Sequence, residues 1–243
     1  MKKSLKAAAK NGALEVLKEL MKIETDLEDT DEDGYTALLW AAKHGLNDCL
    51  QLLVDSKADL KVATEDDETA LILAAENGHI DCVQLLLTAK ADVEYRANDR
   101  YTALHVAAEH GNMECVQLLL NAKAKIEAKG TRGKTALSWA AQNGHTDCVR
   151  LLLKAKADTK ANDDDGNTAL MLAAEDAEPE CVLLLLEVKA DPCIKRCDGS
   201  TPLIPLVSRG LTALAQMLVD AKVDVNAKNK DGHTALMRAA TNG

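Results

Sequence analysis

The chain contains no phenylalanine, and aromatic residues make up only 2% of its 243 positions. A globular enzyme of this length ordinarily buries several large rings, so the core of this chain rests on smaller side chains. Positive charge is also in short supply: 29 Lys and Arg stand against 39 Asp and Glu, a net charge of −10. That balance excludes a general nucleic-acid binder, which needs a basic stripe facing phosphates, and disfavours adsorption to acidic membranes. No apolar run approaches the length of a membrane span. The basic start, Met1-Lys2-Lys3-Ser4-Leu5-Lys6, is not followed by the apolar stretch of a signal peptide. Glycine-rich phosphate loops and nucleophile elbows are missing too. With no unique convergent set of polar residues, no catalytic residue, cofactor site or metal site is assigned.

What the chain has is a period. Thr-(Ala/Pro)-Leu occurs at Thr36, Thr69, Thr102, Thr135, Thr168, Thr201 and Thr234, each 33 residues from the last. Cys49, Cys82, Cys115, Cys148 and Cys181 keep the same spacing. A fixed period of this kind marks stacked repeats. Within one repeat, Thr102 can cap a helix with its hydroxyl. Leu104, Ala107 and Ala108 share one face at helical spacing, and the small alanines admit a close neighbour. Gly111 ends that helix. Glu114 suits the first turn of a second helix, whose apolar face is Cys115, Val116, Leu118, Leu119 and Leu120. Two short helices cannot bury that face alone, so neighbouring repeats must.

The unit Asp-x-x-Gly-x-Thr-Ala-Leu-x-x-Ala-Ala-x-x-Gly-His-x-x-Cys-Val-x-Leu-Leu-Leu-x-x-Lys-Ala-Asp resembles the ankyrin repeat, and seven copies in phase extend the resemblance over nearly the whole chain. The resemblance implies an all-α solenoid of helix-turn-helix units joined by hairpin-like loops. The expected organisation is an N-terminal capping half repeat over 1–27, six full repeats over 28–225, and a C-terminal half repeat over 226–243. The final second helix is absent, so the native chain is expected to continue.

Several departures from the family pattern carry expectations. Asp67 and Arg100 replace the turn glycine found at Gly34, Gly133, Gly166, Gly199 and Gly232, which predicts distorted turns. Lys57, Lys90, Lys123, Lys156, Lys189 and Lys222 replace the glycine after the second helix; if the backbone there is left-handed, each costs about 1 kcal/mol. These lysines read as drift tolerated near a helix C-terminus, with a basic ladder facing an acidic partner as the alternative. Pro179 is expected to open a helix. Pro205, with Leu206-Val207 in place of the alanine pair, predicts a wider helix spacing or a bend. From Glu24 to Asp33 there are seven carboxylates and no base. The periodic cysteines should lie roughly 8–10 Å apart in neighbouring repeats, beyond the reach of about 7 Å for a disulfide. They read as reduced core thiols of a cytoplasmic protein, a nuclear location being the alternative. Cys193 and Cys197 read as incidental thiols, His79 and His145 as structural, and Trp40 and Trp139 as core.

The resemblance implies non-enzymatic binding of a protein partner by the concave surface of hairpin tips and first helices. Nucleic acid and membrane insertion are not expected. The expected binding residues are Tyr35, Glu68, Arg96, Arg100, Tyr101, His110, Arg132, Lys134 and Asn143, with Tyr35 and Tyr101 as exposed anchors. Tip charges run acidic over the first two repeats, basic from Arg96 to Lys134, acidic at Asp164 and Asp165, and basic beyond Lys195. The alternatives are a regulatory part of a larger enzyme and a structural element stacking through its C-terminal end; a monomer is otherwise expected.

Overall fold

The computed structural model describes residues 4–23 and 26–242. Lys2, Lys3, Glu24 and Gly243, which the sequence reading invokes, lie outside them. Among the described residues there are fifteen α-helices and no sheet. They are α1 (Leu5–Lys10), α2 (Leu14–Leu20), α3 (Ala37–Lys43), α4 (Asn47–Asp55), α5 (Ala70–Glu76), α6 (Ile80–Thr88), α7 (Ala103–Glu109), α8 (Met113–Asn121), α9 (Ala136–Gln142), α10 (Thr146–Lys154), α11 (Ala169–Glu175), α12 (Pro179–Glu187), α13 (Leu203–Ser208), α14 (Thr212–Asp220) and α15 (Ala235–Asn242). The chain divides into two compact units, Met1–Lys125 and Ile126–Gly243.

Within the first unit, α1, α3, α5 and α7 stack in one layer and α2, α4, α6 and α8 in another, and each odd helix also packs on the even helix that follows it. The second unit repeats the scheme with α9, α11, α13 and α15 against α10, α12 and α14. Small side chains explain the odd layer. Both alanines of the pairs 41–42, 74–75, 107–108, 140–141 and 173–174 are completely buried, so a bulkier residue would push neighbouring helices apart. Leu38, Leu71, Leu104, Leu137 and Leu170 fill the space between the layers at no more than 1% exposure. Each leucine buried in this way contributes about 1.5–3 kcal/mol. The same position in α15 is Leu236, which is 78% exposed.

Helix α1 and helices α3 to α14 each stop at a left-handed residue. The odd helices end ahead of Gly12, Gly45, Gly78, Gly111, Gly144 and Gly210, all at positive φ, and α11 ends ahead of Ala177 at φ 65°. The even helices α4 to α14 end ahead of the six lysines, whose φ values lie between 61° and 68°. The Lys156 N–H donates to Leu153 O at 2.9 Å and the Ala157 N–H to Leu152 O at 3.0 Å, the paired bonds of a Schellman stop, and the other five lysines repeat them. The left-handed condition is therefore met at every lysine, and the strain expected from the missing glycine is present in all six copies.

Threonine caps are less uniform than the sequence suggests. Thr36 and Thr135 accept backbone N–H groups of Leu39 and Ser138 at 3.3 Å. In α7 the bond also runs the other way: the Thr102 N–H donates to His105 Nδ1 at 3.2 Å, and the Thr102 hydroxyl lies 2.9 Å from the same nitrogen. The hydroxyls of Thr69, Thr168 and Thr201 are buried without a partner. Thr69 and Thr168 have their backbone engaged in isolated antiparallel bridges to Ala63 and Asn162.

The prolines behave as their chemistry requires. Pro179 opens α12 at its first position. Pro205 occupies the place of Trp40, Leu73, Val106, Trp139 and Leu172, whose N–H groups bond to the capping threonine carbonyls at 3.0–3.3 Å. Pro205 has no N–H, so that bond is lost; Ile204 reaches Thr201 O instead, at 3.3 Å. Helix α13 starts one residue late, and it touches α11 over less of its length than α9 does.

The five periodic cysteines are buried and Cys193 and Cys197 exposed, and none of the seven forms a disulfide. Burial, helped by the Asp81 charge, pushes the Cys82 thiol up to about 11. Burial and Glu114 do the same to Cys115, again to about 11. Brief alkylation of the native chain near pH 8 is expected to label Cys193 and Cys197 alone, the other five requiring denaturant; intact-mass measurement counts the adducts. Replacing the left-handed Ala177 with glycine is expected to raise unfolding stability by about 1 kcal/mol. Leu119→Ala in the fully buried face of α8 is expected to lower it by about 2–5 kcal/mol, with urea melts reading both.

Candidate binding surface

Seven turns precede the odd helices α3 to α15, and all seven close with the same two backbone bonds. In the first, the Asp31 N–H donates to Tyr35 O and the Gly34 N–H returns to Asp31 O, both at 3.1 Å. Asp67 and Arg100 hold φ values of 59° and 62°, matching the turn glycines, and keep both bonds. The expected distortion is absent. Two neighbouring bonds cost more to lose than one left-handed side chain costs to keep. The turn that does differ is the fourth, where Arg132 at φ 56° precedes Gly133 at φ 70°. Its Gly130 has no side chain, whereas Asp31, Asp163 and Asn229 at the equivalent place each accept two N–H bonds from their own turn.

Inside each unit, successive turns are also tied together. The Asn98 N–H reaches Asp66 O in the first unit; in the second, Asp164, Cys197 and Lys230 reach Arg132, Asp165 and Asp198. The tips thus present side chains from a constant backbone. Thr36 and its counterparts never change, yet the residue just before them is Tyr35, Glu68, Tyr101, Lys134, Asn167, Ser200 or His233.

In the first unit, Tyr35 is half-buried rather than an exposed anchor. Its ring stacks on Trp40 at 4.5 Å, and its hydroxyl accepts from Lys43 Nζ at 2.8 Å. Lys10 Nζ lies 3.8 Å from the Trp40 ring centre, and the Trp40 indole N–H donates to Asp31 Oδ2 at 2.6 Å. Trp40 is therefore a core residue whose edge is finished by polar groups. Burial alone would raise the Asp31 pKa, but the bonds from Trp40, Tyr35 and Asp33, with the charge of Lys10, hold it below the ordinary carboxylate value. The bond to Tyr35 chiefly raises the Lys43 pKa, with Glu68 and Glu76 adding to it against desolvation.

Glu68 has the reverse problem. Burial, then the charges of Glu76 and Asp66, push its carboxyl up despite Lys43. Nearby, Tyr101 is also half-buried, with its ring edge-on to His105 at 5.9 Å. Arg96 and Arg100 are exposed on the same hairpin. His110, just past α7, has Nδ1 3.0 Å from Val106 O.

In the second unit, Lys134 departs furthest from expectation: only 6% of it is exposed. Its ammonium sits 4.1 Å from the Trp139 ring centre and donates to Gln142 Oε1. Arg132 and Asn143 are exposed. An open groove of about 750 Å³ runs past Arg132, Lys134, Gln142, Asp163, Asp165, Asn167, Leu172, Glu175, Asp176, Arg196, Cys197, Asp198, Arg209 and Lys230. The structure thus gathers Arg132 and Lys134 along this groove, and Tyr35 and Glu68 around Lys43. It places Arg96, Arg100 and Tyr101 on one hairpin.

Two contributions escaped the sequence reading: the bracing carboxylates Asp31 and Asp163, and Lys230 at the groove. The Asp-x-x-Gly spacing signals the first; the 33-residue period signals the second, since it puts Lys230 at the tip position of Asp164 and Cys197. Among the described residues no cluster of side chains suits a metal ion.

A carboxyl whose folded pKa lies above its unfolded value binds its proton more readily when folded. Ionising Glu68 therefore lowers stability as pH rises from the ordinary carboxylate value through its raised one. Glu68→Gln is expected to stabilise the chain at neutral pH. The gain should shrink as pH falls below the ordinary carboxylate value, and urea melts across pH measure it.

No curated protein matches this chain. A family profile described as ankyrin repeats (3 copies) matches residues 5–97, 59–130, 104–196 and 177–243. Among solved structures, the ankyrin repeat domain of Bcl-3, described as a unique member of the IkappaB protein family, is 32% identical with a TM-score of 0.77. That match covers 86% of this chain and 95% of the other. Ankyrin repeats generally bind proteins and are generally not catalytic, and no described helix here is long and apolar enough to cross a membrane. The stacked helix pairs, the seven equivalent turns and these matches together place the chain in the ankyrin repeat family.

Proposed function

We propose that this chain is a non-enzymatic protein-binding module that engages its partner with the hairpin tips and the exposed ends of the odd-numbered helices. The observation that carries the reading is internal to the chain. Positions that pack, such as the capping threonines, the alanine pairs and the leucine after each cap, scarcely vary from repeat to repeat. Most tip positions vary on turns that close with the same two backbone bonds, so their identity is only partly set by folding and the rest is available for recognition. Tyr35, Glu68, Arg96, Arg100, Tyr101, His110, Arg132, Lys134 and Asn143 are the residues we assign to contact. Tyr35 and Lys134 offer only the edges left accessible by Trp40 and Trp139.

The organisation we adopt is a capping half repeat over 1–27, six repeats over 28–225 and a half repeat over 226–243, acting as a monomer. Five buried thiols outside any disulfide support a reducing compartment, cytoplasm or nucleus.

A paired pull-down tests the reading. The wild-type chain is compared with Tyr101→Ala combined with Arg132→Glu, with circular dichroism checking the fold. A partner bound by the wild type should bind the variant about 30-fold more weakly, as loss of a hot spot of about 2 kcal/mol implies. A partner retained equally by both moves the interface away from the tips.

A further inference from the structure

One even-numbered helix departs from the others on the side it shows to water. In α12, Leu183 is 48% exposed, and Val188, which caps the helix, is 49% exposed. The period puts Gln51, Gln84, Gln117, Arg150 and Gln216 at the place of Leu183. It puts Ser56, Ala89, Ala122, Ala155 and Ala221 at the place of Val188. From α4 to α14, every other even helix thus meets water with a polar side chain at the first position and a small one at the second. Packing does not require the change, because Cys181, Val182 and Leu185 already fill the buried side of α12. Two large apolar side chains left half exposed on one face, where folding has no use for them, mark a contact surface.

In the first unit, the corresponding faces of α4 and α6 enclose an open groove of about 440 Å³, with polar walls that include Asn47, Gln51, Asp55, Asp81, Gln84 and Thr88. Helices α10 and α12 pack side by side in the same way within the second unit. The period brings Arg150 and Lys154 to the α10 wall, and Glu180 and Glu187 to the α12 wall. Between them lie Leu183, Val188 and the half-buried Leu153 and Leu184. The four charged residues are all exposed, and none forms an ion pair among the described residues. Their charges balance in number but are sorted in space: cations along one rim, acids along the other, and an apolar floor between.

We propose that the face shared by α10 and α12 docks an amphipathic helix of a protein partner, as a second surface separate from the hairpin tips. The helix lays an apolar stripe on Leu153, Leu183, Leu184 and Val188. Its flank over α10 carries acids and its flank over α12 carries bases, so the sorted rims fix its direction as well as its place. An extended strand fits worse, because the backbone groups of α10 and α12 are spent in their own helices and offer no sheet edge to pair with. A second copy of this chain fits worse as well: an antiparallel α12 centred on Leu183 would set Glu187 against Glu180. The tips precede the odd-numbered helices, so the proposal stands on its own whether or not they bind.

The test selects binders to the whole chain from a display library of single-helix peptides about eighteen residues long, roughly 27 Å as helices. Enriched peptides are labelled with fluorescein and titrated by anisotropy. The expected result is a set of helices with an apolar stripe, acids along one flank and bases along the other. They should bind Leu183→Gln/Val188→Ala about tenfold or more weakly, and Arg150→Glu/Lys154→Glu likewise. They should bind Tyr101→Ala/Arg132→Glu as tightly as the wild type. The first pair restores the residues that other repeats carry at these places, so the fold is expected to persist, and urea melts check it; the second pair serves if it does not. Binding unchanged in both groove variants, enriched helices whose flanks share one sign, or no enriched helix would overturn the proposal and leave binding at the tips untouched. A concentration-dependent mass of the chain alone, abolished by Leu183→Gln/Val188→Ala, would also overturn it, since the face would then belong to a second copy.

Discussion

Helix α1 and every helix from α3 to α14 end at a residue with positive φ, and the rest of the structure depends on this limit. The stop holds the odd helices to six or seven residues and most even helices to nine, too short to be stable alone. Each must therefore lay its apolar face on a neighbour. The conformation is cheap for the glycines that end the odd helices and strained for the lysines that end the even ones. It survives at lysine because the Schellman bonds and the buried residue after it, such as Ala124 or Val223, reward that geometry.

With the backbone constrained this way, function is left to the tips. The same turn carries a tyrosine, an acid or a lysine at one position, and neighbouring groups decide what each can do. Tyr35 and Lys134 are drawn inward by Trp40 and Trp139, so part of their surface belongs to folding. Glu68 is left poorly compensated among acids. In the second unit, Asp163 and Asp198 brace their own turns and Glu175 pairs with Arg196.

Much of this was legible in advance. The period, helix pairs, buried cysteines and Pro179 follow from local rules that read along the chain. The turns at Asp67 and Arg100 did not follow, because a missing glycine was weighed without the two backbone bonds that hold the turn. Lys134 was read as a tip residue because its partners, Gln142 and Trp139, become neighbours only when the hairpin folds back on α9. Thr69, Thr168 and Thr201 show the same limit: a capping residue in the right place does not ensure a capping bond.

The sequence by itself determined the repeat, the helix boundaries, the faces that must be buried and the family. Each of these rests on spacing, and spacing is a property of the chain. Only the tertiary structure decided which tip side chains are drawn into packing and which carboxylates are already engaged. Those depend on residues many positions apart meeting across stacked units, and a list of tip residues carries no information about what each of them touches.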